Sequence, residues 1–277
     1  MKDPRIAELE EIAARAAAAI AGEEPLHPAI PTFLLRLYLD ADRPSLRDAL
    51  GVALARALDV AAAETAVIAR AAWLTLLVEA TAVAEDDRLR PAAKALITGL
   101  RASWPGQSRI DEAAASVEAC LRAAEIAGPG KLVQEAIDHL EHVVGGSYRP
   151  GDGLVRDRGG VRDRCAAIDH VLAASALLTA FELTGRLPYS MLAEELIAIA
   201  RPPAGADIAV QCEAARVLCR LASLHDDDGY RGAAVIAEGA DYRADASRML
   251  AAQSAAARAG TTSAAAAYGL ALLDLLK

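Results

Sequence analysis

Apolar and small residues recur at helical spacing along most of the chain. Between residues 172 and 182, and again between 214 and 221, they lie three and four positions apart. This spacing places them on one face of an amphipathic helix, and their small size allows neighbouring helices to approach closely. The pattern therefore predicts a chain built from packed helices.

Short turns interrupt the helical pattern at intervals of similar length. They fall at residues 41–44, 85–87, 127–130, 184–186, 225–229 and 259–261, which gives spacings of 44, 43, 57, 41 and 34 residues. Each turn follows one apolar helical stretch and precedes another, which is typical of a helical repeat. The spacing predicts six consecutive helical hairpins, about twelve to thirteen helices in all.

Composition supports an all-α chain. Only two Phe, two Trp and six Tyr are present among 277 residues, too few to form the core of a sheet protein.

We predict a single domain over residues 1–277. A helix at 5–21 is expected before the first hairpin, packed against a helix at 262–276. The hairpins form either a closed ring or an open α-solenoid, because the repeats do not themselves encode closure.

One interval is about fourteen residues longer than the others and contains a Gly/Arg-rich insertion at 145–164, predicted to be a loop. The insertion is positively charged within a chain of net charge −9. Guanidinium groups match carboxylate and phosphate groups, so an anionic ligand is one interpretation. The candidate ligand-binding residues are Arg156, Arg158, Arg162 and Asp163. The alternative is that these charges pair with each other or are solvated.

Three stretches carry a resemblance to a known family. They are Ile168–Val171 with Phe181–Gly185, Tyr189 with Ala193, and Arg220–Leu224 with Tyr230 and Arg231. On these residues, the region 110–277 resembles the six-hairpin (α/α)-toroid region of the YyaL and spermatogenesis-associated thioredoxin-like-domain proteins. It is more distantly similar to N-acylglucosamine 2-epimerases and six-hairpin glycosidases. The resemblance implies an (α/α)6 toroid with a central cavity.

The resemblance also suggests site residues. Asp169 falls on the family's aspartate, while His170 stands where the family has tyrosine, and these two are the candidate catalytic residues. The relatives enter the next inner helix through a Pro-Ser-Gly-Asn turn, where this chain has Ile208–Gln211. Gln211 is a candidate ligand-binding residue. The family's thioredoxin-like domain and glycine-rich segment have no counterpart in the sequence.

Other clusters of polar residues carry weaker signals. Glu135, His139 and His142 share one helix face, but a metal site needs further ligands and none is evident. His225 precedes three aspartates, which we interpret as a polar turn. No metal and no cofactor is predicted.

Charge and hydropathy limit the function. A sequence pI near 5.1 argues against nucleic-acid binding. The longest run without charge, 259–273, is shorter than the ~18 residues of a membrane span. The four cysteines form no CxxC pair, and we expect a cytoplasmic protein.

The sequence predicts a toroid that binds a small anionic or sugar-like molecule or a protein partner and has lost the motifs of its catalytic relatives. The alternative is a carbohydrate-active enzyme, epimerase- or glycosidase-like, that uses the central cavity.

Overall fold

The computed structural model describes residues 3–22, 25–41, 44–128, 131–158, 161–200, 206–234 and 239–277, without the side chains of residues 41, 44, 157, 158, 161 and 162. Its helices are α1 (Pro4–Ala21), α2 (Ala29–Ala41), α3 (Arg47–Ala63), α4 (Val67–Ala80), α5 (Leu89–Ser103), α6 (Ile110–Arg122), α7 (Ala124–Ala127), α8 (Lys131–Ser147), α9 (Ala167–Thr184), α10 (Leu187–Ala200), α11 (Ile208–His225), α12 (Asp228–Ala234), α13 (Tyr242–Ala259) and α14 (Thr262–Leu275). Its strands are β1 (Tyr148–Arg149), β2 (Gly153–Arg158) and β3 (Val161–Arg164).

Twelve of these helices form two concentric layers. The inner layer is α2, α4, α6, α9, α11 and α14, in which each helix packs against the next and α14 packs against α2. The outer layer is α1, α3, α5, α8, α10 and α13. The chain alternates between the layers, so the six inner helices run parallel. The structure confirms the all-α toroid, and the contact between α14 and α2 shows that the ring is closed.

The two ends of the chain meet where the ring closes. Helix α1 packs on α14, as the sequence predicts, but it is the outer helix of the first hairpin and does not precede that hairpin. Glu8 of α1 accepts hydrogen bonds from Ser254 Oγ (2.7 Å) and Tyr268 Oη (3.3 Å). Arg15 donates to the carbonyl oxygens of Arg258 and Gly260 at the end of α13. These polar contacts thus support the apolar packing of α1 on α14 where the ring closes.

Alanine allows the inner helices to lie close together. In α9 the side chains of Ala173, Ala174, Ala176 and Ala180 are fully buried against neighbouring helices. Among the described helices, α9 alone has the length and apolar composition of a membrane span, and 61% of it is buried inside the ring. A helix that is apolar on all sides is also what the inner layer of a ring requires.

The insertion at 145–164 is ordered differently from the predicted loop. Helix α8 continues to Ser147, and the strands that follow form a three-stranded antiparallel sheet in the order β1-β2-β3. Tyr148 pairs with Leu154, and Arg156 pairs with Asp163. Leu154 is fully buried and anchors the sheet on the ring. Strand β3 leads directly into α9, so the sheet lies at the end of the ring where the inner helices begin.

Gly269→Ala tests the closing contact. A Cβ atom on Gly269 would lie 2.6 Å from Cε2 of the fully buried Phe33, so the substitution forces α14 away from α2. We expect a loss of about 1–3 kcal/mol in the free energy of unfolding, measured by urea denaturation. Gly51→Ala on the exposed side of α3 meets no atom within 4 Å and should stabilise by about 0.5–1 kcal/mol. Equal effects of the two substitutions would contradict tight closure.

Candidate functional site

A cavity of about 240 Å³ lies on the axis of the ring. All six inner helices contribute to its wall. The lining residues are Pro28, Ala29, Thr32, Arg36, Ile68, Ala71, Ala72, Thr75, Ala115, Glu118, Ala119, Arg122, Leu172, Glu213, Arg216 and Leu270. The rim is formed near the beginnings of the inner helices, where Ile68 is 39% exposed. None of the described lining residues is aromatic, so a ligand would be held by hydrogen bonds and charges.

Ion pairs form the floor of the cavity. Arg122 donates to Glu118 (2.8 Å), and Arg216 donates to Glu213 (2.7 Å). Both members of each pair line the cavity. Each pair therefore presents a guanidinium donor and a carboxylate acceptor to it. Arg36 is the third arginine of the floor.

Further carboxylates lie behind the floor and connect different helices. Arg36 of α2 donates to Glu79 of α4 (2.6 Å) and lies 3.9 Å from Asp274 of α14. Arg216 of α11 also donates to Asp274 (2.9 Å). Arg220 contacts Glu182 (2.9 Å) and Glu118 (3.6 Å). Two groups of ion pairs therefore cross the axis of the ring. Ser175 joins them into one network, because it donates to Glu213 (3.3 Å) and accepts from Arg220 (3.2 Å).

The network keeps Glu118 and Asp274 ionised. Burial raises the pKa of Glu118, but the guanidinium groups of Arg122 and Arg220 outweigh this effect and lower it to about 2. Burial likewise raises the pKa of Asp274, but Arg216, Arg36 and Lys277 together hold it below its ordinary value. Removing one partner would leave an uncompensated buried charge, which is strongly destabilising.

Asp169 lies in the first turn of α9 and is 2% exposed. Its Oδ1 accepts hydrogen bonds from Arg156 Nη2 (2.7 Å) and from the backbone N–H of Asp111 (3.2 Å). Its Oδ2 accepts from the backbone N–H of Ala166 (3.0 Å). The predicted catalytic aspartate thus joins the beginning of α9 to α6 and to strand β2.

Asp111 forms a second buried carboxylate beside Asp169. It is 4% exposed and accepts two hydrogen bonds from Arg109. Burial raises the pKa of Asp111, but Arg109 and the Glu112 backbone N–H together hold it below its ordinary value. In the sequence Asp111 is one acidic residue in the first turn of a helix, and its proximity to Asp169 depends on the packing of α6 against α9.

Both aspartates lie on cavity-facing sides of their helices. Asp111 precedes the lining residue Ala115 by four positions, and Asp169 precedes Leu172 by three. Residues three and four apart share a helix face. The two carboxylates therefore lie one turn above the cavity wall, at its mouth. Arg109 and the half-buried Arg156 accompany them.

His170 holds the sheet against α9. Its Nε2 accepts a hydrogen bond from the backbone N–H of Leu154 (3.0 Å), so its Nδ1–H donates to the carbonyl oxygen of Ala166 (3.0 Å). Burial lowers the pKa of His170, which favours this neutral form. Both ring nitrogens are engaged. The contacts describe a structural clamp, and the catalytic assignment of Asp169 and His170 stays a prediction.

The other predicted residues are dispersed. Arg156 joins the mouth of the cavity, whereas Asp163 is exposed opposite it in the sheet. Gln211 is buried in the first turn of α11 and is not part of the cavity lining. The side chains of Arg158 and Arg162 lie outside the described part of the chain. The ligand-binding assignments of these residues stay predictions.

The charged residues of the floor have a weak signal in the sequence, which helical periodicity alone does not reveal. Glu118 and Arg122 lie four apart, and Glu213 and Arg216 three apart, within helical stretches that are otherwise largely apolar. Opposite charges at this spacing on a solvent-exposed helix are common, and only the ring places them inside.

A larger depression of about 740 Å³ lies at the opposite end of the ring. His225 and Tyr242 form part of its wall, and both contact the buried Glu194 of α10. Its wall comes from α11, α12 and the residues leading into α13, one corner of the ring, and it includes Gly239, next to the undescribed residues 235–238. The central cavity is the better-defined site because all six inner helices build it.

The remaining candidates have structural roles. Burial raises the pKa of the Cys165 thiol, so this cysteine is not activated. The ring of His139 stacks on Trp104, with centroids 5.1 Å apart. Within the described residues, no group of three or more His, Cys, Asp or Glu side chains is arranged to hold a metal ion.

No protein-family model and no curated protein sequence matches this chain. Solved structures do match it. One is an unsaturated glucuronyl hydrolase from Streptococcus agalactiae, with a TM-score of 0.67 and 11% identity, covering 92% of this chain and 81% of that chain. Another is the GH76A alpha-1,6-mannanase from Salegentibacter sp. HEL1_6, with a TM-score of 0.66 and 10% identity, covering 96% of this chain and 98% of that chain.

The third structure is an inactive variant of the same mannanase in complex with alpha-1,6-mannotetrose, with two consecutive aspartates replaced by alanine. It has a TM-score of 0.62 and 11% identity and covers 90% of this chain and 87% of that chain. These structures share the six-hairpin fold, which supports the glycosidase part of the resemblance. The part of the resemblance that concerns thioredoxin-linked proteins, and the cytoplasmic location, stay predictions.

Glu118→Gln tests the buried network through pH. Because the pKa of Glu118 in the folded protein (about 2) lies below the ordinary value of 4.5, its stabilising effect is complete above about pH 4.5 and is lost as the pH falls toward 2. We expect the difference in unfolding free energy between wild type and Glu118→Gln to shrink over that range in urea denaturation. Glu85→Gln, at an exposed residue, should show a small difference at every pH. A pH-independent difference for Glu118→Gln would contradict the ion pairing.

Proposed function

We propose that this protein is a carbohydrate-active toroid that binds a small sugar in the central cavity. The observation that carries the proposal is the convergence of three arginines and two glutamates from three inner helices, α2, α6 and α11, at one cavity. Sugar hydroxyls both donate and accept hydrogen bonds. A floor on which guanidinium donors alternate with carboxylate acceptors suits them, and it compensates for the lack of an aromatic platform.

The fold supports the same proposal. The similar structures are a glucuronyl hydrolase and a mannanase, and one of them holds a mannose oligosaccharide. These neighbours favour the carbohydrate-active alternative over a domain that has lost its activity. The cavity of about 240 Å³ is slightly smaller than the range typical of drug-sized ligands, so a monosaccharide unit is the appropriate size.

Ala72→Leu should abolish sugar binding by filling the cavity. Ala72 lines the cavity wall on α4, and a leucine there would occupy the space of the ligand. Thermal-shift and calorimetric titrations with mannose, glucose and glucuronate provide the measurement. A ligand at 100 times its dissociation constant stabilises the wild type by about 2.7 kcal/mol.

Ala62→Leu provides the matched control, because Ala62 is an exposed residue of the outer helix α3. It should bind like the wild type. Undiminished binding by the Ala72→Leu variant would place the site elsewhere, and no binding of any sugar by the wild type would contradict the proposal.

A second candidate function is glycoside hydrolysis at the mouth of the cavity. Two neighbouring carboxylates are the minimum for this reaction, and Asp111 and Asp169 provide them on adjacent inner helices. Arg109 keeps Asp111 ionised, as a base or nucleophile must be. Asp169 would then be the acid, which requires Arg156 to move away when substrate binds.

Asp111→Asn and Asp169→Asn test this second function. We expect each substitution to reduce release of reducing sugar from mannose or glucuronate oligosaccharides by about 100-fold or more. Asp87→Asn, at an exposed residue in the turn after α4, should leave the rate unchanged. Circular dichroism checks that each variant is folded. Rates that are equal in all variants would exclude this aspartate pair.

A further inference from the structure

The floor of the central cavity keeps hydrogen-bond donors that no described residue uses. Arg122 donates through Nε and Nη2, both to Glu118, and Nη2 also contacts Thr179. Arg216 donates through Nε to Asp274 and through Nη1 to Glu213. Among the described residues, Arg122 Nη1 and Arg216 Nη2 have no hydrogen-bond acceptor. Both arginines line the cavity.

Arg122 and Arg216 are also two like charges on the wall of the same cavity. Like charges in a partly buried site interact more strongly than in bulk water, so their mutual repulsion is poorly screened. An anion between Arg122 and Arg216 would remove this repulsion and accept the two unused N–H groups.

Net charge does not by itself favour an anion at the floor. Arg36, Arg122 and Arg216 face Glu118 and Glu213, but Glu79 and Asp274 behind the floor pair with Arg36 and Arg216, and Glu182 pairs with Arg220. Together these residues are four arginines and five carboxylates, so the attraction for an anion comes from the two unused N–H groups.

The route into the cavity favours an anion as well. The six inner helices are parallel, so the positive ends of their dipoles all lie at the mouth. Arg109 and Arg156 lie there too, but each is paired with a carboxylate, Asp111 and Asp169 respectively. The positive potential that an entering anionic group meets is therefore that of the helix dipoles.

We propose that the ligand is a monosaccharide-sized sugar with one anionic group, a carboxylate or a phosphate, bound between Arg122 Nη1 and Arg216 Nη2. This inference rests on the proposed sugar-binding function and specifies its ligand class. The sugar hydroxyls contact the remaining floor and wall, including Thr32 and Thr75, while the anionic group determines the orientation. Charge-assisted hydrogen bonds to arginine supply the preference over a neutral sugar.

Calorimetric titration of the wild-type protein tests the charge of the ligand. The probes are glucuronate, glucose 6-phosphate, glucose and the methyl ester of glucuronate, which has nearly the size of glucuronate but no charge. We expect glucuronate or glucose 6-phosphate to bind at least about tenfold more tightly than glucose and the ester. The stronger of the two anions identifies the carboxylate or the phosphate as the group recognised.

Arg122→Lys and Arg216→Lys test the location. Lysine keeps the positive charge that Glu118, Glu213 and Asp274 need, but it lacks the second terminal amino group of the guanidinium. We expect each variant to lose most of the preference for the anionic sugar while binding of glucose changes little. Arg101→Lys, at an exposed arginine that pairs with Glu135 on the outer layer, is the matched control and should keep the preference.

The outcomes separate the two proposals. Equal affinity for glucuronate, its ester and glucose would overturn the anionic ligand and leave sugar binding intact. No binding of any probe would overturn both proposals. An anionic preference that survives in both lysine variants would overturn the assignment to Arg122 and Arg216. If a lysine variant does not fold, the comparison of glucuronate with its ester in the wild type still decides the charge.

Discussion

The carboxylate of Asp274 joins three inner helices where the ring closes. It accepts a hydrogen bond from Arg216 of α11, lies 3.9 Å from Arg36 of α2, and belongs itself to α14. The apolar seam beside it depends on Gly269, which gives Phe33 room to pack. If α14 did not meet α2, the axis would be open to water and its charges would not need to pair. Closure therefore creates the cavity and also requires the ion pairs that form its floor.

The arginines and glutamates on the axis of the ring give its cavity binding properties that the fold alone does not define. The similar structures are glycosidases, but at 10 and 11% identity the likeness concerns the fold. In this chain the cavity has no aromatic wall among its described lining residues and a floor of arginine and glutamate. Such a floor recognises hydroxyl and anionic groups through fixed donors and acceptors, in surroundings where water competes weakly.

At the mouth of the cavity, Asp169 makes structural contacts and is also a candidate site residue. Asp169 lies on the cavity-facing side of an inner helix, three residues before the lining residue Leu172. It also accepts three hydrogen bonds, which hold α9, α6 and β2 together. His170 next to it uses both ring nitrogens to fix the sheet. A substrate could engage Asp169 by displacing Arg156, which is the one of these three hydrogen-bond partners that binds through its side chain.

Local sequence patterns are enough to predict that the chain forms helices, that these helices repeat as hairpins, and that Asp169 lies near the start of one of them. These features are local, because helical spacing and turn residues act within a few positions of the chain. Helix packing closes the ring, allows residues 148–149, 153–158 and 161–164 to pair as strands against it, and brings Asp111 beside Asp169. It alone placed the arginines and carboxylates of the floor at one cavity. Phe33 meets Gly269, and Arg36 meets Glu79 and Asp274, across separations that no periodic pattern specifies. A charged pair inside a helix looks the same in sequence whether it faces water or the axis of a ring, and packing alone distinguishes the two.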